Sequence, residues 1–349
     1  MKYHNPIITG FHPDPSVCRV GNDFYLVNSS FEYFPGIPIY HSTDLTHWEQ
    51  IGHVLDRKNQ LKLVSGAPNC LGIYAPTIRY HEGIFYCIVT NVGGRSGGNF
   101  FVYTTDPYGR WSNPVKLPFA GIDPSLFFDE DGRIYYTGTD TGIYITEITF
   151  DVVRNDTPKR NELPVSIQNV KCGEKHYIWN GSGGNNPEGP HLYRIHDMYY
   201  LMIAEGGTEY CHMVTIARSK NVYGSYEACP HNPVLSNRST CLNIKAIGHA
   251  DLVEDSQGSW WAVCLGIRPL GYPFRHNLGR ETMLAPVKWE NGWPVMGDNG
   301  TVTETFEVET APGKKTRKSD FYIPGSNMTD TFCSCLLYTS PSPRDGLLS

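Results

Sequence analysis

The stretch that decides the fold is Gly121-Ile122-Asp123-Pro124-Ser125-Leu126-Phe127-Phe128, followed by a turn at Asp131-Gly132 and the aromatic run Ile134-Tyr135-Tyr136-Thr137. The same order of parts occurs four more times. The heads are Asp14-Pro15-Ser16-Val17, Ala75-Pro76-Thr77-Ile78, Glu188-Gly189-Pro190-His191-Leu192 and His249-Ala250-Asp251-Leu252. Their aromatic runs are Asp23-Phe24-Tyr25, Gly83-Ile84-Phe85-Tyr86, Asp197-Met198-Tyr199-Tyr200 and Gly258-Ser259-Trp260-Trp261. Heads spaced roughly 50 to 65 residues apart are too far apart for leucine-rich or ankyrin repeats. Short β-branched and aromatic runs broken by Gly, Asn, Asp and Pro have strand chemistry, and no 3.6-residue period competes with it.

Each repeat carries a second half, such as Ile39-Tyr40-His41-Ser42 with Trp48, Phe101-Val102-Tyr103-Thr104 with Trp111, and Val214 to Ser219 with Tyr226. Two hairpins make four strands, which is one propeller blade. The chain is therefore expected to be all-β, a five-bladed β-propeller with the heads at one mouth of a central channel. The second half of the third repeat, around Ile143-Tyr144-Ile145-Thr146, fits the pattern least well. The propeller is expected over residues 1–305. Residues 306–349 are expected to be a linker followed by the truncated start of a β-sandwich or an artefactual remnant.

The chain has 349 residues, 40% of them hydrophobic and 13% aromatic, enough for a large core. A net charge of −6 leaves no basic face for nucleic acid. No apolar stretch approaches the roughly 20 residues that span a bilayer, and the opening Met1-Lys2-Tyr3-His4-Asn5-Pro6 has no signal-peptide pattern. A cytoplasmic protein without membrane contact is expected. The ten cysteines form no C-x-x-C pair, so reduced buried thiols are expected rather than zinc or disulfides.

One Asp-Pro is ordinary turn chemistry, and one Glu is ordinary surface. Three carboxylates meeting at one channel mouth are different, because confined like charges raise one another's proton affinity and cost stability. Glycoside hydrolysis uses such a set: one carboxylic acid protonates the leaving oxygen, and a carboxylate activates water or attacks the sugar. A third keeps the acid protonated. Asp14, Asp123 and Glu188 are the candidates. Aromatic side chains near the loops, among them Phe31 and Tyr74, can stack on sugar faces or simply pack in the core.

Seven ordered motifs resemble glycoside hydrolase family 43, of the β-xylosidase and α-L-arabinofuranosidase type. They are Asn5 to Ser16, Ala75 to His81, Gly121 to Ser125, Glu188 to Tyr193, Ala204 to Thr208, Gly248 to Asp251 and Leu278 to Thr282. The resemblance covers residues 5 to about 297. It implies a five-bladed propeller and an inverting mechanism, with Asp14 as general base, Glu188 as general acid and Asp123 tuning and orienting that acid. It also implies substrate contacts from Phe31, Tyr74, Thr208, Arg280 and His249. Tyr74 stands where tryptophan is more usual in the family. No cofactor is required. A structural calcium ion in the channel is compatible with the resemblance, with His249 against it through water, although no contiguous calcium loop is present.

The expected activity is exo-hydrolysis of β-1,4-xylo-oligosaccharides from the non-reducing end. An α-L-arabinofuranosidase acting on arabinose-substituted fragments is the alternative, and a non-catalytic sugar-binding propeller ranks below both. Glu205, Glu281 and Asp251 are rival acids with expected supporting roles, Asp251 beside His249. Surface left bare by an absent sandwich would favour a homo-oligomer.

Overall fold

The computed structural model describes residues 1–308 except 65, 67, 69, 94–96 and 272; the remainder of the expected linker, residues 309–349, lies outside the described part. The described residues contain no helix. Five antiparallel sheets follow one another along the chain. Their innermost strands are Ser16–Val20, Thr77–His81, Ile122–Phe128, Glu188–Ile195 and Lys245–Glu254. Each touches the innermost strand of the next blade, and the fifth returns to the first, which closes the ring.

The aromatic runs form the second strand of each blade and are buried on both faces. Successive residues of a strand point to opposite sides, so an aromatic doublet packs against two neighbouring blades at once. Phe85 meets Tyr25 of the first blade, with ring centroids 4.9 Å apart, while Tyr86 meets Phe128 of the third, also at 4.9 Å. Tyr135 reaches Tyr223 at 5.9 Å, and Tyr200 reaches Trp289 at 5.0 Å. The core is therefore a set of wedges between blades rather than one central mass.

The third blade explains its weak sequence signature. Its third strand, Ile143–Arg154, is 12 residues long and pairs with two separate strands, Val165–Cys172 and His176–Tyr177. Its far end is exposed, so the apolar pattern fades while the strand continues.

The two ends of the described chain join. Lys2–His4 pairs with Thr305–Glu307, and Tyr3 stacks on Phe306 at 5.7 Å. Phe306 is buried, so the fold extends past the expected boundary at 305. The side chain of Asn5 bonds both the amide and the carbonyl of Leu284, at 2.8 and 2.9 Å, and ties the N-terminal segment to the fifth blade. The eight described cysteines are free, with Cys18, Cys87, Cys229 and Cys264 buried.

Candidate active site

The heads of the repeats have unusual backbone. Asp14, Asp123 and His249 have φ of 52°, 53° and 48°, the left-handed region that non-glycine residues seldom occupy. The ladders of blades three, four and five shift register between Ile122 and Ser125, between Glu188 and His191, and between Gly248 and Asp251. Such bulges re-aim a side chain at the end of a strand, and here they turn these residues toward one another. Polar atoms of Asp123, Glu188 and His249 all lie within 4.8 Å of one another, and His249 Nδ1 lies 3.8 Å from Asp14 Oδ1.

The acids differ in their partners. Asp14 accepts from Arg280 Nη1 at 3.0 Å and from the Ser29 hydroxyl at 2.6 Å. Burial alone would raise its pKa. The Arg280 guanidinium, His249 and the Ser29 hydroxyl outweigh it and hold Asp14 below the usual carboxylate range. Asp123 accepts one backbone amide, from Gly189 at 3.2 Å. Burial and the charges of Glu188 and Asp14 push it well up. Glu188 rises to about 7 through burial and the charge of Asp14, with Arg280 opposing. Asp123 and Glu188 titrate as a pair. Near neutral pH the mouth therefore holds an ionised Asp14 and a proton retained by that pair.

The other expected contacts surround this set. Arg280 bridges to Thr208 Oγ1 at 3.0 Å, and its guanidinium lies 5.3 Å over the Phe31 ring. Phe31 lies 5.2 Å from Tyr74 and 5.8 Å from Phe11, so three rings line one side. Gly72 is obligatory beneath them, because a Cβ there would lie 2.2 Å from the Phe31 carbonyl oxygen.

The cluster of Asp123, Glu188 and His249 is also a candidate cation site. Two carboxylates and an imidazole supply fewer oxygens than the six to eight that calcium takes. Calcium fits only if waters complete its shell.

The rival acids are occupied. Glu205 accepts from the Ser182 and Gly184 amides at 2.8 and 2.6 Å and pins the loop that leads to Glu188. Glu281 takes the Gly10 amide at 2.8 Å and both arms of Arg268. Asp251 departs from expectation. Past the register shift after Gly248 it hydrogen-bonds Arg79, Ser16, the Val17 amide and Tyr193, and acts on His249 through its charge alone.

Sequence reasoning missed Ser29, Phe11 and His212. His212 is fully buried and lies against Gly248, where a Cβ would be 2.3 Å from its Nδ1. Burial lowers its pKa to about 3, so it is neutral there. A lone histidine between Cys211 and Met213 carries no motif that could have signalled it.

A family model described as "Glycosyl hydrolases family 43" matches residues 3–294. The chain is 49% identical over 315 residues to a protein of Bacteroides ovatus named "Non-reducing end alpha-L-arabinofuranosidase BoGH43B", covering 89% of this chain and 56% of that protein. It is 46% identical to a "Xylosidase/arabinosidase" of Butyrivibrio fibrisolvens, covering 88% of this chain and 59% of that protein. The solved structure "Bacteroides ovatus Xyloglucan PUL GH43B" superposes with a TM-score of 0.79 at 46% identity, over 91% of this chain and 60% of that one.

Proposed function

We propose that this chain, which belongs to glycosyl hydrolases family 43, removes a terminal pentose from the non-reducing end of an oligosaccharide with inversion at the anomeric carbon. The observation that carries the reading is the split in proton affinity at one mouth. Asp14 is held ionised by Arg280 and Ser29, while Glu188 rises to about 7 beside Asp123. Inverting hydrolysis needs that pairing of an ionised base and a protonated acid.

In this reading Asp14 takes a proton from a water molecule as its oxygen attacks the anomeric carbon. Glu188 gives its proton to the glycosidic oxygen, the carbon–oxygen bond breaks on the opposite face, and the rest of the sugar leaves as an alcohol. Exchange with solvent then returns the proton to Glu188 and removes the one on Asp14. Asp123, bonded to the Gly189 amide next to Glu188, orients the acid, whose proton affinity burial and the charge of Asp14 keep high. Arg280 serves twice, keeping Asp14 ionised and offering donors to vicinal hydroxyls. Phe31, Phe11 and Tyr74 offer apolar faces to the sugar.

The pentose is a terminal β-D-xylosyl or α-L-arabinofuranosyl group. The motifs favour xylose, and the 49% identical relative named for arabinofuranoside hydrolysis supports the second sugar. The chain spans 56 to 60% of the lengths of the relatives described above. Activity is therefore to be measured on the chain as it stands and on a version extended by a relative's C-terminal part.

Nitrophenyl β-D-xylopyranoside and nitrophenyl α-L-arabinofuranoside are the substrates to compare, with NMR of the first-formed anomer. Cleavage with inverted configuration is expected. Retained configuration, or no cleavage by either version, would refute the proposal.

A further inference from the structure

Just past the mouth residues the same five strands meet again. Ser16 lies two residues beyond Asp14, Ser125 two beyond Asp123, His191 three beyond Glu188 and Asp251 two beyond His249. Arg79 comes from the innermost strand of the second blade. Its Nη1 and Nη2 donate to the two carboxylate oxygens of Asp251 at 2.7 and 3.1 Å, and Nη2 also donates to His191 Nδ1 at 3.0 Å. The Ser16 hydroxyl and the Val17 amide donate to Asp251 Oδ2 at 2.6 and 3.1 Å, and the Tyr193 hydroxyl donates to Oδ1 at 2.6 Å. Ser125 Oγ lies 3.1 Å from His191 Nδ1, which brings in the third blade. Asp251 is fully buried.

We propose that Arg79 and Asp251 form a positioning clasp that fixes the catalytic mouth, so that turnover depends on two residues outside the mouth itself. Three register shifts lie between a mouth residue and the clasp residue of the same strand. Left-handed backbone at Asp14, Asp123 and His249 persists only where surrounding structure over-determines it. The clasp supplies that constraint, because from the second blade it ties together the other four strands just after their irregular parts, the third through His191. A bidentate fork is directional, and a buried ion pair contributes little net stability for the desolvation it costs. Both facts fit a device that sets geometry rather than one that adds stability.

The proposal rests on the glycosidase reading above, and the test separates the two. Arg79→Met, Arg79→Lys and Tyr193→Phe are compared with the unaltered chain. The readouts are kcat and KM for the nitrophenyl glycosides, per folded molecule, and hydrogen exchange by mass spectrometry. Misplacing reacting groups by about 1 Å can cost roughly a hundredfold in rate. Arg79→Met is therefore expected to lower kcat about tenfold or more with KM changed less than about threefold, and Arg79→Lys to restore part of the loss.

Tyr193→Phe removes only the bond its hydroxyl donates to Asp251 and the one it accepts from the Leu252 amide, and keeps a testable folded variant if Arg79→Met does not fold. In both, exchange is expected to rise together around residues 12–18, 121–126, 187–192 and 247–252. Unchanged kcat in folded variants overturns the clasp, as does faster exchange confined to the substituted strand. If neither the unaltered chain nor its extended version cleaves either glycoside, the functional reading fails instead, and the exchange pattern alone decides the clasp.

Discussion

The mouth of the channel and the layer just beyond it are built on the same five strands and filled with the same residue types, yet their polar groups are balanced in opposite ways. In the inner layer, Asp251 has partners on both oxygens and its pKa is lowered, because Arg79 overcomes burial. At the mouth, Asp123 has one amide, and both it and Glu188 are pushed up by burial and by neighbouring negative charge. One layer satisfies its charges. The other keeps them in conflict, which is the condition for proton transfer near neutral pH.

The largest break in this comparison should come from Asp14→Asn. Loss of the base should lower kcat by roughly a thousandfold or more on both good and poor leaving groups, measured by steady-state kinetics, with Tm little changed. Asp251→Asn should add a loss of stability to its loss of kcat. It leaves a buried Arg79 without its counter-charge, at a cost of about 3–5 kcal/mol, read by denaturant titration. If Asp251→Asn left stability intact, the inner layer would not be the satisfied one.

Glu188→Gln should lower kcat by roughly a hundredfold on unactivated oligosaccharides and less on nitrophenyl glycosides, whose leaving group needs little protonation. The alkaline limb of the pH profile should vanish with it. In the unaltered chain that limb should fall near pH 7, since activity is lost as Glu188 deprotonates. The acid limb should lie below the usual carboxylate range, since Asp14 stays ionised until its depressed pKa is reached, and Ser29→Ala should move that limb upward.

The smallest effect is on stability. Asp123 has a raised folded-state pKa, so it weighs against the fold as pH rises through that value. Asp123→Asn should therefore raise Tm by a few degrees at neutral pH, seen by calorimetry, while lowering kcat. Asp251 has a depressed pKa, so its contribution is present at neutral pH and lost on acidification. A fall in Tm for Asp123→Asn would contradict the reading of the mouth as a strained layer.

The repeat was legible because its information is local. Tyr135-Tyr136 and Tyr199-Tyr200 are doublets that a strand buried on both faces requires, and each follows a turn a few residues upstream, at Asp131-Gly132 and at His196-Asp197. The third blade was harder to read, because Ile143–Arg154 pairs with strands on either side of a break and its outer half is exposed. Asp251 was assigned to His249 from its spacing of two along a strand. Its charge does act on His249, but its hydrogen-bonded partner, Arg79, lies 172 residues away. Glu205 and His212 were equally opaque, since their meaning lies in the amides of a distant loop and in the bare face of Gly248.

By itself the sequence determined that five aromatic hairpin pairs must wrap into a ring and that two aspartates, a glutamate and a histidine would head its strands. Periodicity and turn chemistry act over a few residues and need no partner. Only the tertiary structure decided which of those groups would be ionised and what would hold them. Proton affinity depends on burial and on charges a few ångströms away, supplied by residues such as Arg280, 266 positions from Asp14.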